Sequence, residues 1–300
     1  MSRNLRRAVA WTAGALVVLI VGCGGGGSEP EVNLPRIVAG PASGSISSAA
    51  ATVSWTTDRA CDSRIDYGKT ITYSDSLATS GLVTEHQLTV AGLAETTRYH
   101  YRVSSRDQSG QAVTSGDLAF TTLSLAGELA AAGWEAFEDS DFETSLAKFQ
   151  QAHAARPAYV PAIEGLGWAL LRLYRLEESL AALAEALSAQ PGRSDCLAAA
   201  TLANAALGRC QDTITRGRQL VAAAGEAYVF SHDQSVRTSD IRYCLVICLM
   251  AAGDLEGALA EAKAIDPSID LDPDDRSTWG EHATFEEALM VLVEDLGSVV

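Results

Sequence analysis

From residue 126 onward the sequence repeats itself at an offset of 34. Gly133 falls on Gly167, Trp134 on Trp168, Ala136 on Leu170, and Phe142 on Leu176. The same offset brings Leu146 onto Leu180, Phe149 onto Leu183, Ala152 onto Ala186, and Pro157 onto Pro191. A chain that repeats at such a period stacks equal supersecondary units, each burying its apolar face against the next. Within each unit the apolar spacing predicts two helices joined by a short turn. Glycine and alanine fall where paired helices approach most closely, large residues fill the gaps beside them, and proline ends the second helix. The expected units are about 126–159, 160–193, 194–227 and 239–272. The third keeps Gly208, Ile214 and Leu220 but has Gly225 where proline closed the earlier ones. The fourth keeps Gly253-Asp254-Leu255 in its turn, after an apolar first helix over 241–252. An extra stretch of 11 residues, about 228–238, breaks the phase between them. Phe285, Leu289, Leu292 and Leu296 predict a capping helix over about 283–297, which shields the last repeat.

A 34-residue helix–turn–helix unit with these positions resembles the tetratricopeptide repeat. The resemblance implies an all-α solenoid over 124–300 whose first helices line a concave groove. Its ligand-contacting positions fall here on Ala130, Trp134, Phe137 and Glu138, then on Glu164, Trp168, Leu171 and Arg172. Leu202 and Ala206 follow in the third unit, and Tyr243, Ile247 and Met250 in the fourth. Two tryptophans one repeat apart, with Glu164 and Arg172 nearby, make an aromatic groove suited to an extended peptide or a partner helix. Packing between neighbouring first helices is the competing role for both indoles. It weighs most for Trp134, nearest the preceding domain.

Residues 33–123 have a different rhythm. Short alternating stretches recur about every ten residues between turn residues, the pattern of an all-β sandwich. Val53 and Trp55 alternate in 51–56, Ile65 and Tyr67 in 62–67, and Leu88 and Val90 in 86–90. Tyr99, Tyr101 and Val103 follow, then Leu118 and Phe120. Trp55, together with Leu93-x-x-x-Thr97-x-Tyr99 before Tyr101-x-Val103, resembles a fibronectin type III domain. The resemblance makes Tyr99 a tyrosine corner whose phenol bonds backbone across a turn. The stretch from Trp55-Thr56-Thr57 through Ser63-Arg64-Ile65-Asp66-Tyr67-Gly68 is similar to the variant that precedes purple acid phosphatase catalytic domains. No Gly-Asp-x-His, Gly-Asn-His or late histidine pair follows, so the resemblance implies no dinuclear metal site. The sandwich is expected to act as a spacer.

At the start of the chain Arg3, Arg6 and Arg7 precede an apolar run over 8–22. Fifteen apolar residues are fewer than the roughly 20 that a membrane-crossing helix needs. A short run behind a basic start reads as a secretory signal over 1–22. It ends in Ile20-Val21-Gly22-Cys23, which resembles a bacterial lipobox. The resemblance implies cleavage after Gly22 and lipidation of Cys23, with residues 23–32 as a flexible tether. Gly24 in place of an inner-membrane retention aspartate favours the outer membrane, facing away from the cytoplasm.

Charge narrows the partners. The chain carries 22 basic and 38 acidic residues, and residues 124–300 alone hold 12 and 28 of them. A solenoid this acidic repels phosphates, which argues against nucleic acid and favours a neutral or basic partner. Other chemistry is thin. Cys244 and Cys248, four apart on one helical face, offer half a zinc site with nothing to complete it. Cys196 and Cys210 pair with each other or with Cys244 in an oxidising compartment, and spacing leaves the choice open. Cys61 is expected free in a strand-edge loop. Acidic residues from Asp270 to Glu281 mimic calcium-loop spacing. Asp275 stands where the sharp turn needs glycine, so a solvated loop is expected instead. His232 and Asp233 lie in the inserted stretch with no nucleophile motif near them, and loop capping is their expected role.

The sequence therefore points to a non-catalytic, lipid-anchored envelope protein that holds a protein or peptide in its repeat groove, with no cofactor or metal. A glycan-binding protein using Trp134 and Trp168 to stack on sugar rings, or an accessory subunit of an envelope enzyme, are the alternatives.

Overall fold

The computed structural model describes residues 33–297. The signal run, Cys23 and its tether lie outside them.

The N-terminal part is all β. Strands β1 (Ile37–Gly44), β2 (Ala50–Gly68), β3 (Asp75–Ala91), β4 (Arg98–Arg106), β5 (Ala112–Thr114) and β6 (Leu118–Thr121) pair antiparallel throughout. The two alternating stretches expected over 51–56 and 62–67 are one long strand, β2. Its first half pairs with β1 and β3, and its second half pairs with β3 and β4. Register shifts between Thr56 and Cys61, and again before Ser63, let the strand change direction without ending. Cys61 is a free thiol as expected, but it is buried inside a strand rather than in a loop.

Ala51, Val53, Trp55, Ile65, Leu88, Val90, Tyr99, Tyr101, Val103 and Phe120 form the core of the sandwich. Trp55 donates from Nε1 to Ser105 Oγ at 2.9 Å and stacks on His86, ring centroids 4.8 Å apart. The Ala94 N–H donates to the Tyr99 hydroxyl at 3.0 Å, so the tyrosine corner is formed.

The C-terminal part is a stack of helix hairpins. Helices α1 (Leu125–Glu138) and α2 (Phe142–Ala155) form the first, and α3 (Val160–Arg172) and α4 (Leu176–Ala189) the second. Helices α5 (Ser194–Ala206) and α6 (Cys210–Ala224) form the third, α7 (Thr238–Ala251) and α8 (Leu255–Ile265) the fourth, and α9 (Phe285–Gly297) closes the stack. The fold is thus an all-β sandwich followed by an all-α tetratricopeptide-like solenoid.

The period survives in backbone detail. Each inter-helix turn places one residue in the left-handed region: Ser140 at φ 62°, Tyr174 at 60°, Gly208 at 70° and Gly253 at 79°. Glycine alone bears this without strain, so the first two hairpins carry a small cost the last two avoid. Close helix approach explains the recurrent spacing of small residues. A Cβ on Gly165 would run into the Phe149 ring, and one on Gly167 would lie 2.5 Å from Leu183.

A disulfide joins Cys210 to Cys248, with Cα atoms 4.8 Å apart. This corrects the pairings left open above. Cys210 opens α6, and the residue of α7 that meets it is Cys248, one turn beyond Cys244. Cys196 instead faces Glu164, and both Cys196 and Cys244 are free thiols. With Cys248 oxidised, the i,i+4 thiolate pair cannot form. In the acidic loop, Asp272 accepts from the Asp274 N–H and Asp275 from the Ser277 N–H, each at 2.9 Å. These carboxylates cap their own turns, and no cluster suited to a metal ion forms among the described residues.

Candidate partner-binding groove

Helices α1, α3, α5 and α7 are the first members of their hairpins, and the aromatic face expected of the groove lies on α1 and α3. The fold brings those aromatics together but does not leave them open. Phe230, from the 11-residue insertion, lies face to face on Trp168, with centroids 3.8 Å apart and planes 9° from parallel. Trp168 is 0% exposed. The expectation of an exposed contact at Trp168 is corrected: its indole face is already covered from within the chain.

The neighbouring positions follow suit. Trp134 stacks on His232 at 4.0 Å and 4°, with Phe149 and Phe137 edge-on to it at 4.8 and 5.5 Å. Phe137 is buried, with Phe142, Phe230 and Trp168 edge-on around it. Leu171 and Leu202 are half-buried against the same core. Tyr243 packs with the second core beneath α9 and away from the aromatic face. Of the expected groove residues, Ile247 is open at 43% exposure, and Glu138 and Ala206 are exposed as well.

The two charges expected to meet a partner are also engaged. Glu164 is buried and receives both arms of Arg193, at 2.6 and 2.8 Å, and the Cys196 thiol at 3.1 Å. Burial, reinforced by the Glu164 charge, pushes the Cys196 thiol far up, so it stays protonated and unreactive. Arg172 pairs with Asp233 while its guanidinium lies over Phe137 and Phe142, 5.9 and 6.0 Å from the ring centroids. Burial lowers the Arg172 pKa, which makes a nearby carboxylate the natural companion of its charge.

The insertion is the element that sequence reasoning misjudged. A bridge between Val229 and Arg237 closes it, with the Phe230 N–H donating to Val236 O at 2.9 Å. Tyr228 is buried and donates its hydroxyl to Asp195 at 2.9 Å. Asp233 does cap its own loop, accepting from Ser235 N at 3.0 Å. His232, by contrast, reaches back to α1, its Nδ1 2.7 Å from Glu138 Oε1. The readable sign was composition: a loop with nothing to pack against has no use for two aromatics in three residues, Tyr228 and Phe230. Residues 230–233 therefore pack on α1 and α3 of the first two hairpins, although the third lies between them in sequence.

Comparison with known proteins agrees with the first half of this picture. Residues 40–121 match the fibronectin type III domain family. No curated protein matches the chain. Among solved structures it is similar to YrrB, described as a TPR protein with an unusual peptide-binding site. The identity is 16%, covering 58% of this chain and 87% of that one, with a TM-score of 0.45. It is also similar to MamA MSR-1, at 12% identity over 58% and 97% of the two chains, TM-score 0.44. A thermophilic TPR protein of Thermus thermophilus shares 19% identity over 55% and 81%, TM-score 0.38. The C-terminal part is a solenoid by its own helix pairing and 34-residue register.

Proposed function

We propose that this protein is a non-catalytic scaffold that holds a protein partner through its solenoid, with the sandwich as spacer and a lipidated Cys23 as anchor on the extracytoplasmic face of the bacterial envelope, the outer membrane favoured. The observation that carries the binding reading is the α1–α3 face, which already grips an irregular segment through two ring stacks and an ion pair. Solenoids of this kind function through extended concave surfaces, and rings with flanking charges are what peptide recognition uses. The Cys210–Cys248 disulfide supports export, because such bonds persist in oxidising compartments. The acidic excess of residues 124–300 supports a neutral or basic partner overall. A sugar-binding role has little support, since the Trp168 face it would use is wholly covered.

The test is affinity capture from envelope extract with the immobilised full chain, at low and at high salt. A specific protein retained at low salt and released as salt rises is the expected result. Recovery indistinguishable from the bare matrix at every salt concentration overturns the reading.

A further inference from the structure

Residues 230–233, the middle of the stretch that breaks the repeat, make three contacts of different chemistry. Phe230 stacks on Trp168, His232 stacks on Trp134 with Nδ1 at the Glu138 carboxylate, and Asp233 pairs with Arg172. The polar contacts span 61 and 94 residues of sequence, so the segment is not tidying its own neighbourhood. It carries no regular structure beyond the single bridge Val229–Arg237, and Val229, Ser231, Gln234, Ser235 and Arg237 remain exposed or half-exposed. Tyr228, Phe230 and Val236 anchor it in the solenoid core, and the residues between them reach the surface.

The fit is also incomplete. Among the described residues, the Trp168 Nε1 and the Arg172 Nε are buried donors with no acceptor. A native core rarely leaves such groups unpaired. Both belong to the residues that grip the insertion, so the site offers two hydrogen bonds that its resident occupant does not take.

We propose that the α1–α3 groove recognises partner segments of the pattern aromatic, any residue, imidazole, carboxylate, and that Phe230-Ser231-His232-Asp233 is the chain's own copy of that pattern, occupying the site until a partner displaces it. The proposal rests on the protein-binding reading above and specifies its chemistry. The resident copy is tethered, so it competes at high effective concentration, and a partner must match its anchors and add acceptors for the two open donors. The solenoid's overall acidity selects against acidic partners as a whole, while Arg172 selects one carboxylate locally.

A fluorescent peptide with the sequence of residues 228–238 serves as the probe, with full-length protein. Phe230→Ala in the protein empties the aromatic slot, and the peptide should then bind at least about tenfold more tightly than to the wild type. Replacing the phenylalanine of the peptide by alanine, or adding Arg172→Gln to the protein, should each remove that gain. A Phe230→Ala protein that keeps its helical circular dichroism and its disulfide yet binds no peptide overturns the proposal, as does equal binding of both peptides. Hydrogen exchange on the wild type decides the matter if that variant does not fold. The amides of Phe230 and Val236 should exchange ahead of those in the middle of α5, and exchange of both sets together at the global rate overturns the proposal. A partner captured from extract by a protein that fails these tests leaves the scaffold reading standing and removes only this one.

Discussion

Single residues here do work that their chemical type leaves open. Trp168 has the character of an exposed anchor, and burial between Phe230 and Phe137 makes it core instead. Trp168→Ala should therefore cost about 3–5 kcal/mol of solenoid stability. Denaturant melts of the variant would show it, and an unchanged midpoint would mean the ring is not packed as described. His86 offers a second test. It is buried between Thr57 Oγ1 at 2.8 Å and Ser63 Oγ at 2.7 Å, with Trp55 on its face. Burial lowers its pKa below the ordinary 6.5, and the nearby Asp62 charge only partly offsets this. The unfolded chain thus binds a proton more readily than the folded one. The stabilising contribution of the neutral ring is complete above pH 6.5 and fades as pH falls below it toward the lowered folded value. Thermal melts from above that pH to well below it should show the sandwich transition moving down, and His86→Gln should flatten that dependence.

At the scale of elements, the hairpins are set by where backbones touch. Gly165 has no room for a Cβ against Phe149, so Gly165→Ala should destabilise the first two hairpins by about 1–3 kcal/mol through overpacking. Calorimetry that finds this variant as stable as the parent would contradict the packing. The third and fourth hairpins are tied differently. The insertion lies between them in sequence, and Cys210–Cys248 closes a loop across it with a separation of 38 residues. Loop-closure entropy for that length makes the bond worth about 3–4 kcal/mol. Reduction should lower the solenoid melting temperature while leaving the sandwich transition in place, which scanning calorimetry with and without reductant would resolve. Arg242 adds a polar tie in the same region, buried between Glu226 and Glu261. None of these ties was legible from the positions of the cysteines or charges, because pairing depends on which helical face each hairpin turns to the next.

For the molecule as a whole, the sandwich and the first hairpin are joined by more than the chain. Glu128 of α1 accepts from the Ser48 N–H at 3.0 Å, and Glu95 accepts from the Leu125 N–H at 2.6 Å. These bonds tie the sandwich to the first turn of α1. Anchoring makes the remaining prediction. If Cys23 is the acyl acceptor, Cys23→Ser should abolish labelling by a clickable fatty acid and leave the precursor uncleaved. Labelling at the wild-type level in that variant would falsify the anchor.

Local and periodic rules determined much of this protein from the sequence alone. Side-chain alternation located the sandwich core, because facing residues of a strand recur every second position. The 34-residue recurrence located the hairpins and their turns, because each unit stacks on its neighbours, and the apolar spacing from Phe285 to Leu296 located the closing helix. Edge segments such as β1 and the first half of β3 escaped notice, since solvent imposes no alternation on a strand with little to bury. What only the tertiary structure decided was everything that crosses the period. The disulfide partner, the face of Tyr243 and the docking of residues 230–233 onto α1 and α3 all depend on how separate hairpins stack in space. Phe230 and Trp168 are 62 positions apart in sequence and 3.8 Å apart as rings, a contact that no local pattern encodes.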